Sequence, residues 1–362
     1  MGSVSADLPK PWVETPLIFS PALSRSAGCN IFLKLENAQP SGSFKSRGIG
    51  NMMLTALEST RAEDDVHFYC SSGGNAGLAC ATTAITLSRP ATIVVPTATS
   101  AFMVSKLREL GAEVVQTGAS WAEADAYLRE TFLSKVEPGL HKVYVPPFDH
   151  PDIWTGAATI MDEIALEFGM GGRFAGRGGL DAVVCNVGGG GLLNGVMEGL
   201  ERNGKRMTAA GGPQQTKVLA VETVGADSLY ASVQAGELVT LPGITSIATS
   251  LGARRVSEKT WEWVRKAGPE GMAFSTVPDG AAALACVRFL DDARIMIEVA
   301  CGATVATAYN GDLRRHLGKG LSDQEWAGRN VVLIVCGGSN TSWEILEGYK
   351  QTYGAAVKGG LE

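Results

Sequence analysis

Short apolar runs alternate with amphipathic segments along most of the chain. The runs Ile31 to Leu35, Val66 to Cys70, Ala91 to Val95, Glu113 to Gln116, Lys142 to Val145, Asp181 to Val187, Lys217 to Val221 and Asn330 to Cys336 have the length and composition of strands. Helical spacing of apolar positions predicts helices over Gly48 to Glu58, Ala76 to Leu87, Thr99 to Leu110, Ser120 to Leu133, Pro151 to Phe168, Leu192 to Arg202, Pro278 to Asp292 and Val305 to Leu317. Strand followed by helix, repeated, predicts an α/β protein with mostly parallel twisted sheets flanked by helices. Val66 to Val145 alone holds enough alternation for a small doubly wound domain. The expected division is a small inserted domain over 41–149 and a large domain made of 1–40 and 150–362. Gly169 to Gly179 and Asn203 to Gln215 read as surface connections.

A length of 362 residues with 45% hydrophobic content suits two buried cores. A net charge of -6 without a long basic run leaves nothing to neutralise a row of phosphates, so no nucleic-acid partner is expected. No apolar stretch approaches the roughly 20 residues that cross a bilayer, and Met1 to Pro11 lacks the charged start and apolar core of a signal peptide. The seven cysteines are scattered through apolar stretches with no C-x-x-C pair, which points to reduced, buried thiols and a cytoplasmic setting. Four histidines without metal-ligand spacing give a zinc site little support.

Four segments carry chemistry. Ser41-Gly42-Ser43-Phe44-Lys45-Ser46-Arg47-Gly48 sets a lysine between small polar residues and an aromatic ring. A lysine amine has an unperturbed pKa of about 10.4 and needs desolvation or a cationic neighbour before it attacks an aldehyde; taken alone, Lys45 reads as a solvated residue at a helix start, and the neighbouring motifs are what overturn that reading. Gly188 to Gly191 follow the apolar run Asp181 to Val187 and open a helix candidate. Converging backbone N–H groups and the helix dipole make such a junction a phosphate seat, or simply a tight turn. A dinucleotide fingerprint fails, because G-x-G-x-x-G started at Gly188 or Gly189 ends on Leu193 or Asn194. Ser71 to Gly77 sits between a strand candidate and an alanine-rich helix, where exposed amides suit a carboxylate and where plain N-capping is the alternative. Cys336, at the end of the run Val331 to Val335, is expected at the C-terminal end of a strand, where ligands bind in α/β folds; a buried structural thiol is otherwise the default reading. Amine, polar turn and phosphate cradle together suggest pyridoxal phosphate.

In this order the segments closely resemble the fold-type II pyridoxal-phosphate enzymes (tryptophan synthase β-like), and within them the serine/threonine dehydratases of the liver serine dehydratase type. The resemblance spans roughly residues 12 to 350 and includes Thr15-Pro16-Leu17, Lys34-Leu35-Glu36, Ser41 to Gly48, Ala91 to Pro96, Val145-Pro-Pro-Phe-Asp149, Val187 to Leu192, Ala300 to Ala303 and Val335 to Asn340. It implies that Lys45 is the Schiff-base lysine and that Phe44 stacks on the cofactor ring. Gly188, Gly189, Gly190, Gly191 and Leu192 would then bind the phosphate, and Asn75 the ring hydroxyl. Ser72, Gly73, Gly74 and Asn75 would hold the substrate carboxylate, with Cys336 beside the ring nitrogen. A monovalent cation such as K+ is implied near Glu222, Ala226 and Ser228, completed by backbone oxygens around Leu251 and Ala253; Glu222 reads equally as a salt-bridge partner.

Two departures stand out: Gly73 and Ser250 occupy positions where the liver type carries alanine, Ser250 facing the ring opposite Phe44. The expected activity is β-elimination from L-serine or L-threonine, giving pyruvate or 2-oxobutanoate plus ammonia. The alternatives are β-replacement or another β-elimination on a serine-like amino acid in a specialised pathway, and a catalytically silent pyridoxal-phosphate-binding protein. The chain ends soon after the Cys336 motif, so the resemblance implies no isoleucine-sensing regulatory domain. A homodimer is expected, with a small amino acid as the only other partner.

Overall fold

Where the apolar runs are unbroken, whole strands are buried. The structure, a computed structural model, describes residues 8–61, 64–207 and 215–357. Its strands, in chain order, are β1 (Leu17–Phe19), β2 (Asn30–Leu35), β3 (Asp65–Cys70), β4 (Ala91–Val95), β5 (Glu113–Gln116), β6 (Leu140–Tyr144), β7 (Ala182–Asn186), β8 (Lys217–Thr223), β9 (Met272–Val277) and β10 (Asn330–Val335). β4, β7 and β10 are buried at every position, as parallel strands covered on both faces must be. At the edge of its sheet, β5 is half-exposed and ends in charged or polar side chains.

The chain divides into two compact units, Met1–Val13 with Gln39–Gly156 and Glu14–Ala38 with Ala157–Glu362. The first unit carries a four-stranded parallel sheet ordered β5-β4-β3-β6. Its core packs Ile49 and Met53 from helix Lys45–Glu58 and Leu78 and Ala79 from helix Asn75–Thr86 against Phe68, Ile93 and Val95. The second unit carries a six-stranded sheet ordered β1-β2-β10-β7-β8-β9, parallel except for the β1/β2 pair. In both sheets the turns discussed below leave the C-terminal ends of strands, the side on which open α/β sheets bind ligands.

Several elements differ from the sequence pattern. Val305 to Leu317 is two helices, Val299–Ala306 and Asp312–Leu317, because Gly311 adopts φ +81° and breaks the spiral. Ser120 to Leu133 is helical only to Leu128 and continues as a π-turn, Arg129–Leu133. Helix Gly191–Met207 extends beyond Arg202 into the connection expected over 203–215, of which 208–214 lie outside the described residues. β1, β9 and helices Glu258–Gly271 and Trp343–Val357 are additional to the expected elements.

Candidate active site

Lys45 is the first residue of helix Lys45–Glu58 and follows Phe44, its N-cap. The serines around it build the turn: Ser41 N donates to Ser46 Oγ at 3.1 Å, and the two hydroxyls lie 2.7 Å apart. Gly42, at φ +78°, reverses the chain between them. Lys45 is half-buried, its Nζ donates to the backbone oxygen of Pro147, and it lies 5.2 Å from the centre of the Phe44 ring. Pro147 therefore joins the site although sequence reasoning gave it no role.

In the same unit, β3 runs into Ser71 and Ser72, and helix Asn75–Thr86 begins three residues after Ser72. Gly74 N donates to Ser72 Oγ at 3.3 Å, which keeps that hydroxyl inside the turn. A Cβ on Gly77 would collide with the backbone oxygen of Ser72, so the helix packs onto the turn only with glycine there. An added Cβ on Gly73 would lie 2.8 Å from Thr99 Cγ2. Ser72, Gly73, Gly74 and Asn75 are all half-buried around a helix start whose first amides have no intrahelical acceptor.

The second unit holds the glycine turn. After β7, Gly190 adopts φ +97°, and helix Gly191–Met207 starts at the next residue. A Cβ at 190 would strike Thr260 Oγ1. Thr260 is fixed from behind: its hydroxyl donates to Asn194 Oδ1 at 2.8 Å, Asn194 Nδ2 donates to Ser257 Oγ at 3.0 Å, and Ser257 N donates to Gly189 O at 3.0 Å. This buried triad braces the turn with neutral groups and leaves its amide face to an anion. Gly188 sits against the segment that carries Ser250, its Cβ position being 3.2 Å from Ser250 O and 3.1 Å from Leu251 Cα. A phosphate needs no basic side chain at such a turn, because helix N-termini bind it through N–H groups and the helix dipole.

Cys336 follows β10 and is buried. Asn186, the last residue of β7, donates from Nδ2 to Cys336 Sγ at 3.1 Å and to Ala300 O at 2.6 Å. Contact with Cys301 and burial push the Cys336 thiol well above its usual range, so it is neutral. A neutral thiol fits a position beside an unprotonated pyridine nitrogen. Asn186 is a missed contributor whose signal was present: a polar residue inside an otherwise apolar, fully buried strand.

Glu222, near the end of β8, is 2% exposed and takes the amides of Leu229 (2.9 Å) and Tyr230 (2.7 Å). Burial, assisted by Asp227, pushes its carboxyl up to about 8 against those amides. Beside it in sequence, Thr223 Oγ1 and Ser246 Oγ lie 2.8 Å apart, and Ser246 Oγ donates to Asp279 at 2.5 Å. This ties the segment leading to Leu251 and Ala253 to the end of β8. Ala226 N donates to Thr223 O at 2.9 Å. Ser228 Oγ is buried with no hydrogen-bond partner, an oxygen that a cation would satisfy. No described salt bridge uses Glu222.

Phe44, Lys45 and the 72–75 turn thus belong to the first unit, and the glycine turn, Ser250, Cys336 and the Glu222 cluster to the second. Over residues 10–337 the chain matches the family described as pyridoxal-phosphate dependent enzyme, and it belongs to that family. The individual likenesses span nearly whole chains. It is 38% identical over 341 residues to the catabolic L-serine/threonine dehydratase of Saccharomyces cerevisiae, covering 92% of this chain and 89% of that protein. It is 42% identical over 342 residues to the human serine dehydratase-like protein, covering 94% and 95% respectively. The crystal structure of a fungal L-serine ammonia-lyase from Rhizomucor miehei superposes with a TM-score of 0.80 at 34% identity, over 95% of this chain and 99% of that one. The α/β fold is accordingly that of the fold-type II enzymes.

Proposed function

We propose that this enzyme is an L-serine/L-threonine dehydratase that eliminates the β-hydroxyl as water and yields pyruvate or 2-oxobutanoate with ammonia. The observation that carries the reading is Lys45, ordered at a helix start beside Phe44 with its amine on the Pro147 oxygen, in a chain similar to such dehydratases along its length. Pyridoxal phosphate, when bound, supplies the electron sink that lets an amino acid lose its α-proton and then its β-substituent. Lys45 Nζ would anchor the cofactor and, once freed, would move the α-proton. The amides of Gly188 to Leu192 would hold its phosphate, Phe44 and Ser250 would line its ring, and Asn75 would donate to its hydroxyl. Ser72, Gly73, Gly74 and Asn75 orient the substrate carboxylate. Cys336, as a neutral thiol, leaves the ring nitrogen without a carboxylate to keep it protonated, which favours elimination over transamination.

Glu222, with Ser228 Oγ and the backbone oxygens of Ala226, Leu251 and Ala253, is the proposed seat of a monovalent cation. Seven buried, reduced cysteines suit a cytoplasmic enzyme, and a two-fold dimer is the working assembly. No described helix is long and apolar enough to cross a membrane. The deciding experiment measures ammonia release from L-serine and L-threonine, with and without an added thiol, in wild type and Lys45→Ala. Release should fall by about a thousandfold or more in the variant, and borohydride should fix the cofactor to the peptide holding residue 45. An active Lys45→Ala enzyme would sink the assignment, and a thioether product would redirect it to β-replacement.

A further inference from the structure

Beneath the 72–75 turn, the backbone pairing of β3 with β6 runs out. Its last bond is from Val145 N to Tyr69 O at 2.8 Å, and Pro146 and Pro147 have no N–H with which to continue it. From that point β3 leads into Ser71 and Ser72, and β6 into the Pro147 oxygen that holds Lys45. A side chain bridges the gap. Asp125 Oδ1 accepts both Ser71 Oγ at 2.6 Å and Tyr144 Oη at 2.6 Å, while Oδ2 accepts Arg129 Nε at 2.8 Å. Ser71 is fully buried and Asp125 nearly so, and the Arg129 guanidinium lies 4.0 Å from the centre of the Tyr144 ring, closing the cluster. Arg129 Nε can only donate and both hydroxyls have a proton to give, so an ionised carboxylate satisfies all three neighbours at once. Burial opposes the charge, but the bonds from Arg129, Ser71 and Tyr144 outweigh it and hold the Asp125 carboxyl below its ordinary value. Burial and Asp125 push the Tyr144 phenol up to about 12, so it remains a donor.

We infer that Asp125 is a positioning residue: through Ser71 it sets the substrate-carboxylate turn, and through Tyr144 it sets the Pro147 oxygen that orients Lys45. The inference deepens the proposed function and rests on it for the role of the turn. The two arms have different kinetic signatures. Ser71→Ala, which loosens the turn, raises KM for L-serine about tenfold with little change in kcat; Tyr144→Phe, which loosens the Pro147 segment, lowers kcat about tenfold with little change in KM; Asp125→Ala does both. A purely structural cluster would lower thermal stability without this split.

A second readout needs neither cofactor nor turnover. Amide hydrogen exchange of the apoprotein at 72–75 and 148–149 should quicken at least about fivefold in Asp125→Ala, with β4 unchanged. Should Asp125→Ala fail to fold, the two single-bond variants decide the matter. Wild-type kinetics and exchange in both would overturn the inference. If wild type releases no ammonia from either amino acid and yet exchange quickens as stated, the dehydratase reading fails while the clamp stands.

Discussion

The two candidate ligand-binding turns are built by opposite means. The glycine turn of 188–192 is made of backbone: a left-handed Gly190, a helix start, and a neutral triad of Thr260, Asn194 and Ser257 filling the space behind. The 71–75 turn is held by side chains: Ser72 bonds inside it, and Ser71 hangs from the charged Asp125. A backbone seat has its shape fixed by sterics and tolerates almost no added atom. A side-chain seat can be retuned by changing one distant partner. The buried carboxylates of the two units differ in the same way, Asp125 ionised among an arginine and two hydroxyls and Glu222 raised to about 8 with two amides.

Gly190→Ala should give the largest effect, about 2–5 kcal/mol of lost stability in denaturant titration, because both its φ and its Cβ are excluded. Adding Thr260→Ala should recover the steric part and leave the conformational part together with the lost bond to Asn194 Oδ1. Full tolerance of Gly190→Ala would break the contrast between the turns.

The carboxylates test it next through pH. Glu222 is protonated in the folded chain where the unfolded chain has ionised, so its contribution is complete below about 4.3 and is lost as pH rises to about 8. Without small monovalent cations, stability should fall across that window by a few kcal/mol; K+ should blunt the fall, and Glu222→Gln should remove it. Asp125 behaves inversely: its contribution is present above about 3.9 and is lost as pH falls through its lowered folded value. Acid melts of Asp125→Asn should therefore show a shallower loss at the low end.

The smallest effect is expected at Gly74. Its φ is negative and the nearest atom to an added Cβ is Ser72 Oγ at 3.9 Å, so Gly74→Ala should cost about 1 kcal/mol or less, mainly through the poorer N-cap. A cost matching that of Gly190→Ala would show the two turns to be equally rigid.

The same contrast explains what the chain reveals in its letters. Unbroken apolar runs such as Ala91 to Val95 announce buried parallel strands, and consecutive glycines announce a backbone seat, since local composition alone creates both. The three-residue β1 is too short for any period to show, and helix Glu258–Gly271 hides behind Gly268, which leaves helical geometry, and Pro269. Asp125 was invisible for another reason. It lies 54 residues from Ser71 on an ordinary amphipathic segment, and only the parallel pairing of β3 with β6 brings its partners together. Thr260 likewise reaches Asn194 from 66 residues away. Side-chain ties across a sheet leave no pattern for a periodicity reading to detect.

The interlock of positions 190 and 260 limits how this scaffold can be recombined. Chimeras that exchange the β7 loop among relatives need the opening turn of helix Glu258–Gly271 from the same parent, because a bulkier loop residue from one donor meets the other donor's threonine head-on. Crossover points placed on either side of the pair let both travel together and keep that fit intact.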